Sequence, residues 1–325
     1  MSDRKFVKIL AVSLVTTLGC LPLTSCAQKK LVNTDLEQTK IQAIKGSANK
    51  PNTTEPMSPK KTDTTPQLKS ETKSGPTKSL PWEQEENFLS QQTQNGTPIL
   101  LAAYRTVLRD PLPGEEENVH LAARMLAGTV VKPGEVFSQN QKVGPYVQSR
   151  GFQQGPTYSG TNLISTVGGG VCKIASTLYN VAILSNLQIV ERYAHSMPVP
   201  YVPYGQDATV SYGVRDFKFR NDTDFPVLIW AQGIDNILYI GFYGTKQPPR
   251  VEWHHQTLKI IKAENVYRTN PALPSGTENK LLIEGMDGGI VKSWLTIKNL
   301  DGTITTKPLG KSYYNPMHYL YEKSQ

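Results

Sequence analysis

The chain has little cysteine: three residues among 325, at positions 20, 26 and 172. The first two lie near the N-terminus, so Cys172 is the one thiol in the body of the chain. A disulfide-bonded scaffold, of the kind that holds many small secreted domains together, is therefore excluded. A lone cysteine in such a body is either a small buried residue or a functional one.

Long apolar runs are also missing. The apolar stretch 9–23 has about 15 residues, which is short of the roughly 20 needed to cross a bilayer as a helix. It follows a basic start and ends in small residues, a pattern typical of a signal peptide rather than an uncleaved membrane anchor. Its end, Leu23-Thr24-Ser25-Cys26, resembles the lipobox of bacterial lipoproteins, in which the cysteine is acylated. We predict a lipoprotein signal peptide over residues 1–26, lipidated at Cys26.

Aromatic residues are absent from residues 27–80, which are rich in Lys, Thr, Ser, Pro and Gln. Such a segment cannot bury enough apolar surface to offset the entropy lost on ordering. We predict a disordered tether with an end-to-end distance of roughly 40 Å, from ~5–6 Å × √n. It would hold the rest of the protein outside the cytoplasmic membrane, within reach of the cell wall.

Most of the net charge of +8 belongs to this N-terminal part. Residues 1–26 carry +2 and residues 27–80 carry +5, so about +1 remains for residues 81–325. A nucleic-acid partner is therefore not indicated. The basic tether could contact anionic lipid or wall polymer, or act as a solvated linker.

Motifs for metal and phosphate binding are missing as well. The sequence contains no HExxH, no CxxC and no phosphate-binding loop. The adjacent His254 and His255 would point to opposite faces of a strand, which makes them a poor metal pair. We predict neither a metal nor a cofactor.

The pattern of apolar and turn-forming residues divides the rest of the chain into residues 81–249 and 250–325. In the first part we predict a strand, two helices and then a run of strands, which together indicate an α+β domain. These elements are Ile99–Leu108, Glu115–Leu126, Val171–Leu184, Leu187–Tyr193, Val199–Val202, Ala208–Tyr212, Phe217–Arg220, Val227–Ala231 and Ile237–Tyr243. The second part has short alternating strands and hairpin turns, which predict a small all-β region. It bears a weak, partial resemblance to the G5 module of cell-surface proteins.

Seven motifs follow one another between residues 132 and 227. They are KPGEVFSQN (132–140), VGP (143–145), RGF (150–152), GGGVCKIASTLYN (168–180), ERYAHS (191–196), YVPYGQDATV (201–210) and DFKFRNDTDFPV (216–227). In this order they resemble the VanW family, which takes its name from glycopeptide-resistance clusters. The resemblance implies a role in the bacterial cell envelope. The family's cysteine is usually followed by Gln, whereas this sequence has Lys173.

Three glycines, Gly168, Gly169 and Gly170, allow positive φ angles and close approach of the backbone. They lead to Cys172 in the first turn of the second helix, where the helix dipole favours a thiolate. Ser176 lies on the same face of this helix. We predict that the three glycines and Ser176 shape a cleft around Cys172.

A thiol nucleophile needs a base, and the base needs an acid to orient it. His195 and Asp207 follow Cys172 in the Cys–His–Asp order of transglutaminase-like and papain-like enzymes, with Asp216 as the competing acid. This order predicts a helix-start cysteine packed on an antiparallel sheet. Each residue also has a structural interpretation: packing for Cys172, a carbonyl hydrogen bond for His195 and a turn for Asp207.

The leading functional hypothesis is an envelope thiol enzyme acting on peptidoglycan or another wall peptide, by amide hydrolysis or acyl transfer. The alternatives are a non-catalytic wall-binding module and an envelope scaffold. All three place the protein at the cell envelope, with membrane contact through its lipid anchor.

Overall fold

The computed structural model describes residues 73–108, 111–159, 162–276 and 279–324. These residues all belong to one compact unit, Pro66–Gln325. The predicted signal peptide, the lipidation site and the tether up to residue 72 lie outside the described residues. At the end of the predicted tether, Gly75–Pro76 pair with a strand of the main sheet and Leu80 is buried.

Four α-helices occur in the described part of the chain. They are α1 (Glu86–Asn95), α2 (Glu115–Leu126), α3 (Gln139–Lys142) and α4 (Cys172–Leu184). The bounds of α2 agree with the prediction, and three acids occupy its first turn, where the helix dipole favours them. Nearly every residue of α4 is buried, which is typical of a helix that is apolar on most of its circumference. None of these helices is long and apolar enough to span a membrane.

Within the described residues, the strands form five sheets. Their bounds are β1 (Gly75–Pro76), β2 (Ile99–Val107), β3 (Thr129–Val131), β4 (Val136–Ser138), β5 (Gln154–Ser159), β6 (Asn162–Val167), β7 (Gln188–Glu191), β8 (Lys218–Arg220), β9 (Val227–Ile234), β10 (Ile237–Gly244), β11 (Arg250–Ile261), β12 (Asn265–Thr269), β13 (Lys280–Ile283), β14 (Gly288–Lys298), β15 (Ile304–Tyr314) and β16 (Tyr319–Lys323). The sheet orders are β1-β2-β10-β9-β3, β11-β14-β15, β12-β16-β13, β4-β8-β7 and β5-β6.

The main sheet is covered on both faces. In β9, Val227 and Ile229 belong to the large core cluster that also holds the apolar residues of α2 and α4. The residues that alternate with them, Leu228 and Trp230, belong to the cluster around Phe88 of α1. Because successive side chains of a strand point to opposite faces, this one strand contributes to both clusters.

The predicted α+β fold class is wrong. Strands account for 41% and helices for 17% of the described residues, so the protein is mostly β with several sheets rather than a papain-like α+β domain. The predicted strands Val199–Val202 and Ala208–Tyr212 are not strands, and the chain between β7 and β8 is a long loop. Most of the apolar residues in the two predicted segments, among them Val199, Val202, Ala208 and Val210, are nevertheless buried. A buried loop and a buried strand give the same apolar signal in sequence, which explains the error.

The C-terminal β-rich region packs against the rest of the chain. Leu295 and Ile297 of β14 belong to the large core cluster, and the ring of Trp253 meets Tyr179 of α4 edge-on at 5.2 Å. Sequence rhythm did not predict β11, although it is 12 residues long. Most of its side chains are half-buried or exposed, so it lacks the clear alternation that marks a half-buried strand.

Candidate active site

A cleft of about 740 Å³ opens at the N-terminus of α4. Both Cys172 and His195 line it. Its other walls come from β5 and β6, from the chain around Tyr146 and from the turn at 211–215. The cleft therefore surrounds the one cysteine of the described residues, which is a free, half-buried thiol.

The glycines before α4 explain how the backbone reaches this position. Gly168 and Gly170 have φ angles of +80° and +100°, which side chains of L-residues rarely adopt, and both line the cleft. A Cβ atom on Gly169 would lie 2.1 Å from the carbonyl oxygen of Gly155 in β5. The turn is thus pressed against β5 and leads directly into α4, which begins at Cys172.

Ser176 lies beneath the cleft instead of lining it. Its hydroxyl donates to the carbonyl of Ala208 at 3.0 Å and accepts from the amide of Ala208 at 2.9 Å. One turn further along α4, Asn180 donates to the carbonyl of Gln206 at 2.8 Å. Cys172, Ser176 and Asn180 share one helix face because residues four apart are neighbours there. The helix that carries the thiol therefore also holds the loop that carries Asp207.

The sulfur of Cys172 has several polar neighbours. It lies 3.4 Å from Oγ1 of Thr209 and accepts from the amide of Val210 at 3.5 Å. Burial raises the pKa of the thiol. The hydrogen bond and positive charge of His195, aided by Thr209 and Val210, outweigh this and lower it from the ordinary 9.0 to about 7.

His195 is fixed by Asp207. The backbone amide of His195 donates to Oδ2 of Asp207 at 2.6 Å, and Nδ1 of its ring lies 2.8 Å from the same oxygen. Burial lowers the pKa of His195, but hydrogen bonds with Asp207 and Cys172 raise it to about 9. Since Nδ1 faces the carboxylate, Nε2 remains for the thiol. Between about pH 7 and 9 the two groups form a thiolate–imidazolium pair.

Asp207 is 1% exposed, and donors surround both of its oxygens. Oδ1 accepts from Nη2 of Arg192 at 2.9 Å and from the hydroxyl of Tyr314 at 2.5 Å, while Oδ2 faces His195. Burial raises the pKa of this carboxyl, but the hydrogen bond and charge of His195, and then the charge of Arg192, lower it overall. A buried ionised carboxylate requires such a set of partners.

Asp216, the competing acid, belongs to another network. It accepts from the Ser138 hydroxyl at 2.5 Å and from the amides of Asn140 and Phe217 at 2.9 and 2.8 Å. These contacts hold the start of α3. Of the two acids that the sequence left open, Asp207 is therefore the one beside the His195 ring.

Lys173, the departure from the family pattern, forms an ion pair with Glu115 of α2. Its ammonium group also lies 4.8 Å from the centre of the Tyr201 ring. All three residues line the cleft. The extra positive charge beside Cys172 is therefore matched by a neighbouring carboxylate.

Sequence reasoning missed several groups in contact with the site. Arg192 stands within a motif already singled out, three residues before His195, and a buried cation beside an acid could have been suspected there. Thr209 also lies in such a motif, but a threonine gives no signal of its own. Tyr314 lies 107 residues beyond Asp207, where no sequence pattern points back to the site.

His254 and His255 are the adjacent pair that the sequence analysis judged a poor metal site. His254 stacks on the Trp294 ring at 5.4 Å, whereas His255 contacts the Ser293 hydroxyl at 2.9 Å and the Gln206 side chain at 2.8 Å. Among the residues that the structure describes, no group of three or more His, Cys, Asp or Glu side chains is placed to hold a metal ion.

Comparison with known proteins identifies a family that matches part of the chain. Residues 114–243 match the family model described as "VanW like protein". This segment is a VanW-like region. It contains Cys172, His195 and Asp207. The recognition predicted from the seven motifs is confirmed.

Two curated proteins match part of this chain. One is the "Uncharacterized protein YoaR" of Bacillus subtilis, 39% identical over 145 residues, which are 45% of this chain and 48% of that protein. The other is the "Vancomycin B-type resistance protein VanW" of Enterococcus faecalis, 35% identical over 136 residues, 40% of this chain and 50% of that protein. The chain thus spans about half the length of the curated relatives it matches. A VanW-like region fits association with the cell envelope.

Two small solved structures match about a quarter of the chain. They are the "IgA1 Protease G5 domain structure" and the "Crystal structure of HP0197-G5", each 20% identical. The first covers 25% of this chain and 98% of that chain with a TM-score of 0.16. The second covers 23% and 97% with a TM-score of 0.14.

Proposed function

We propose that the protein is a cell-envelope enzyme that uses the thiolate of Cys172 to cleave or exchange amide bonds in wall peptides. One observation carries the proposal. Cys172 begins a helix inside a cleft, beside the ring of His195, whose Nδ1 lies 2.8 Å from the buried carboxylate of Asp207. This combination of nucleophile, base and orienting acid is the one that thiol acyl transfer requires.

The chemistry proceeds in two steps. The thiolate of Cys172 forms a C–S bond with the carbonyl carbon of the substrate, the C–N bond breaks, and the amine leaves with the proton of the His195 imidazolium. Water or a second amine then attacks the thioester, gives a proton to the imidazole and releases the thiolate. Asp207 keeps Nδ1 protonated and stabilises the imidazolium throughout.

The cleft has the dimensions and lining of a peptide site. A volume of about 740 Å³ lies within the range usual for small-ligand sites, about 300–1,000 Å³. Tyr146, Tyr201 and Tyr212 supply aromatic surface, and Thr209 and Ser211 are polar residues of the lining. A short peptide could lie across Cys172 with its side chains on these rings.

The location of the substrate follows from the N-terminal sequence. In the proposal, Cys26 is acylated and the Lys-rich segment after it tethers the enzyme outside the cytoplasmic membrane. Stable anchoring takes more than one acyl chain, so a multiply acylated cysteine is expected. A Cys26→Ala variant should move from the detergent phase to the aqueous phase on partitioning. Retention in the detergent phase would contradict the anchor.

The activity is tested with the full chain and a muropeptide mixture, with and without an added amino acid as acceptor. Mass spectrometry should detect either shortened stem peptides or peptides carrying the acceptor. Cys172→Ala should reduce this turnover to background, because the residual catalysis of such sites without their nucleophile is several orders of magnitude lower. Equal turnover by the wild type and the variant would refute the thiol mechanism. Muropeptide binding without turnover would leave the wall-binding module in its place.

A further inference from the structure

The support of Asp207 crosses from one part of the chain to another. Strand β15, outside the VanW-like region, has 11 residues, and the two that are buried are Ser312 and Tyr314. They lie two residues apart and so point to the same face of the strand. Both touch the candidate site. Every other residue of this strand is half-buried or exposed.

Tyr314 makes two hydrogen bonds with the loop that carries the acid. Its hydroxyl donates to Oδ1 of Asp207 at 2.5 Å and accepts from the amide of Gly205 at 2.7 Å. The residue is 2% exposed, so the loss of this hydroxyl would leave buried partners unsatisfied. The bonds fix the loop on either side of Gln206, and they hold Oδ1 so that Oδ2 faces His195.

Ser312 acts one step further from the thiol. Its hydroxyl accepts from Nη1 of Arg192 at 3.0 Å. The same guanidinium donates to Oδ1 of Asp207 and, through Nε, to its backbone carbonyl at 2.7 Å. The strand therefore contacts the acid directly through one side chain and through the arginine with the other.

We propose that Tyr314 is a positioning residue for the Cys172–His195 pair, acting through Asp207, and that Ser312 supports it through Arg192. The role of Tyr314 in catalysis rests on the proposed function, but the effect of Tyr314 on the Cys172 thiol does not. Without the Tyr314 hydroxyl, Asp207 can rotate and its loop can shift. The imidazolium is then held less firmly and the thiolate loses part of its stabilisation.

The test compares Tyr314→Phe with Tyr204→Phe in the full chain. Tyr204 is the matched control, because its ring lies 5.2 Å from that of Tyr314 while its hydroxyl donates to the carbonyl of Asp287 instead of Asp207. The rate of iodoacetamide alkylation is measured on the Cys172 peptide by mass spectrometry between pH 5 and 10. Tyr314→Phe should slow alkylation at neutral pH about three- to tenfold and move its midpoint upward, whereas Tyr204→Phe should match the wild type.

Turnover provides the second readout. Tyr314→Phe should lower kcat about tenfold with little change in KM, as expected for loss of a group that orients a reacting one. An alkylation profile for Tyr314→Phe that coincides with that of Tyr204→Phe would overturn the proposal. If the wild type proves to have no turnover, the profile alone decides the positioning role, and only the proposed function fails.

A second variant is used in case Tyr314→Phe does not fold. If thermal melting shows that Tyr314→Phe is unfolded, Ser312→Ala is used, since it removes one small hydroxyl and leaves the tyrosine in place. It should slow alkylation at neutral pH about twofold, with a melting curve close to that of the wild type. No change in the Ser312→Ala profile would then count against the proposal.

Discussion

The VanW-like region and the C-terminal β-rich region contribute to the candidate site in different ways. The first supplies the groups that can react: a thiol at a helix start, an imidazole and a carboxylate, all within residues 114–243. The second supplies the hydroxyls of Ser312 and Tyr314, which touch Arg192 and Asp207 but do not line the cleft. Part of the support for the reactive groups thus comes from a separate part of the sequence, although both parts belong to one compact unit.

The difference also appears in how each part buries its residues. Helix α4 is buried along almost its whole length, whereas the strand β12 is exposed at every residue. The contact between the two parts combines apolar packing by Leu295 and Ile297 with a few polar side chains whose hydrogen bonds have defined partners. Such buried networks specify geometry because each partner left alone is costly.

Asp207 of the VanW-like region is hydrogen-bonded to Tyr314 of the C-terminal region, and its replacement should have the largest effect. Asp207→Asn keeps the shape of the side chain but removes its charge, so Arg192 stays buried without its ionised partner. The amide NH2 group also replaces one carboxylate oxygen, which puts a hydrogen-bond donor where His195 or Arg192 needs an acceptor. The free energy of unfolding should fall by about 3–5 kcal/mol, as when one member of a buried ion pair is removed. Turnover should fall with it.

The matched control is Asp224→Asn. Asp224 pairs with Lys246 at the surface, where both side chains are more than half exposed. Loss of such a pair should change stability by less than about 1 kcal/mol. Chemical denaturation measures both variants. Similar destabilisation by the two replacements would mean that the buried contacts of Asp207 contribute no more to stability than a surface ion pair.

A smaller effect is expected from pH, and it sharpens the same comparison. The thiolate of Cys172 forms as the pH rises through about 7, and the imidazolium of His195 is lost as the pH rises through about 9. Turnover should therefore rise up to tenfold per pH unit below the first value, level off, and fall above the second. A pH–rate profile measures both limbs. A single limb near pH 9, typical of an ordinary thiol, would contradict the pair.

The sequence predicted the start of α4 well, because three glycines, a cysteine and an apolar stripe all act locally. It placed His195 and Asp207 close to the ends of predicted strands, and both lie in the loop between β7 and β8. Met197, Val199, Ala208 and Val210 around them are buried, and burial in a loop cannot be distinguished from burial in a strand by composition. The fold class was wrong for a different reason: the sequence did not indicate strands such as β5, β6 and β11, so the share of strand was underestimated.

The choice between Asp207 and Asp216 could not be made from sequence. Both follow His195 at a short distance, and both prove to be buried and hydrogen-bonded. What separates them is the packing of α4, which holds the 206–208 segment through Ser176 and Asn180. The contribution of Tyr314 was further out of reach, because its contact spans 107 residues and depends on how β15 packs in three dimensions.

The position of Tyr314 near the end of the chain also bears on the order of synthesis. Asp207 cannot gain this partner until 107 further residues have been added, so a growing chain that already contains Cys172, His195 and Asp207 still lacks part of their framework. Contacts so distant in sequence close late, because the entropy of a long loop must be overcome first. A ribosome that stops before β15 therefore releases a product with its nucleophile present and its acid without the Tyr314 hydrogen bond.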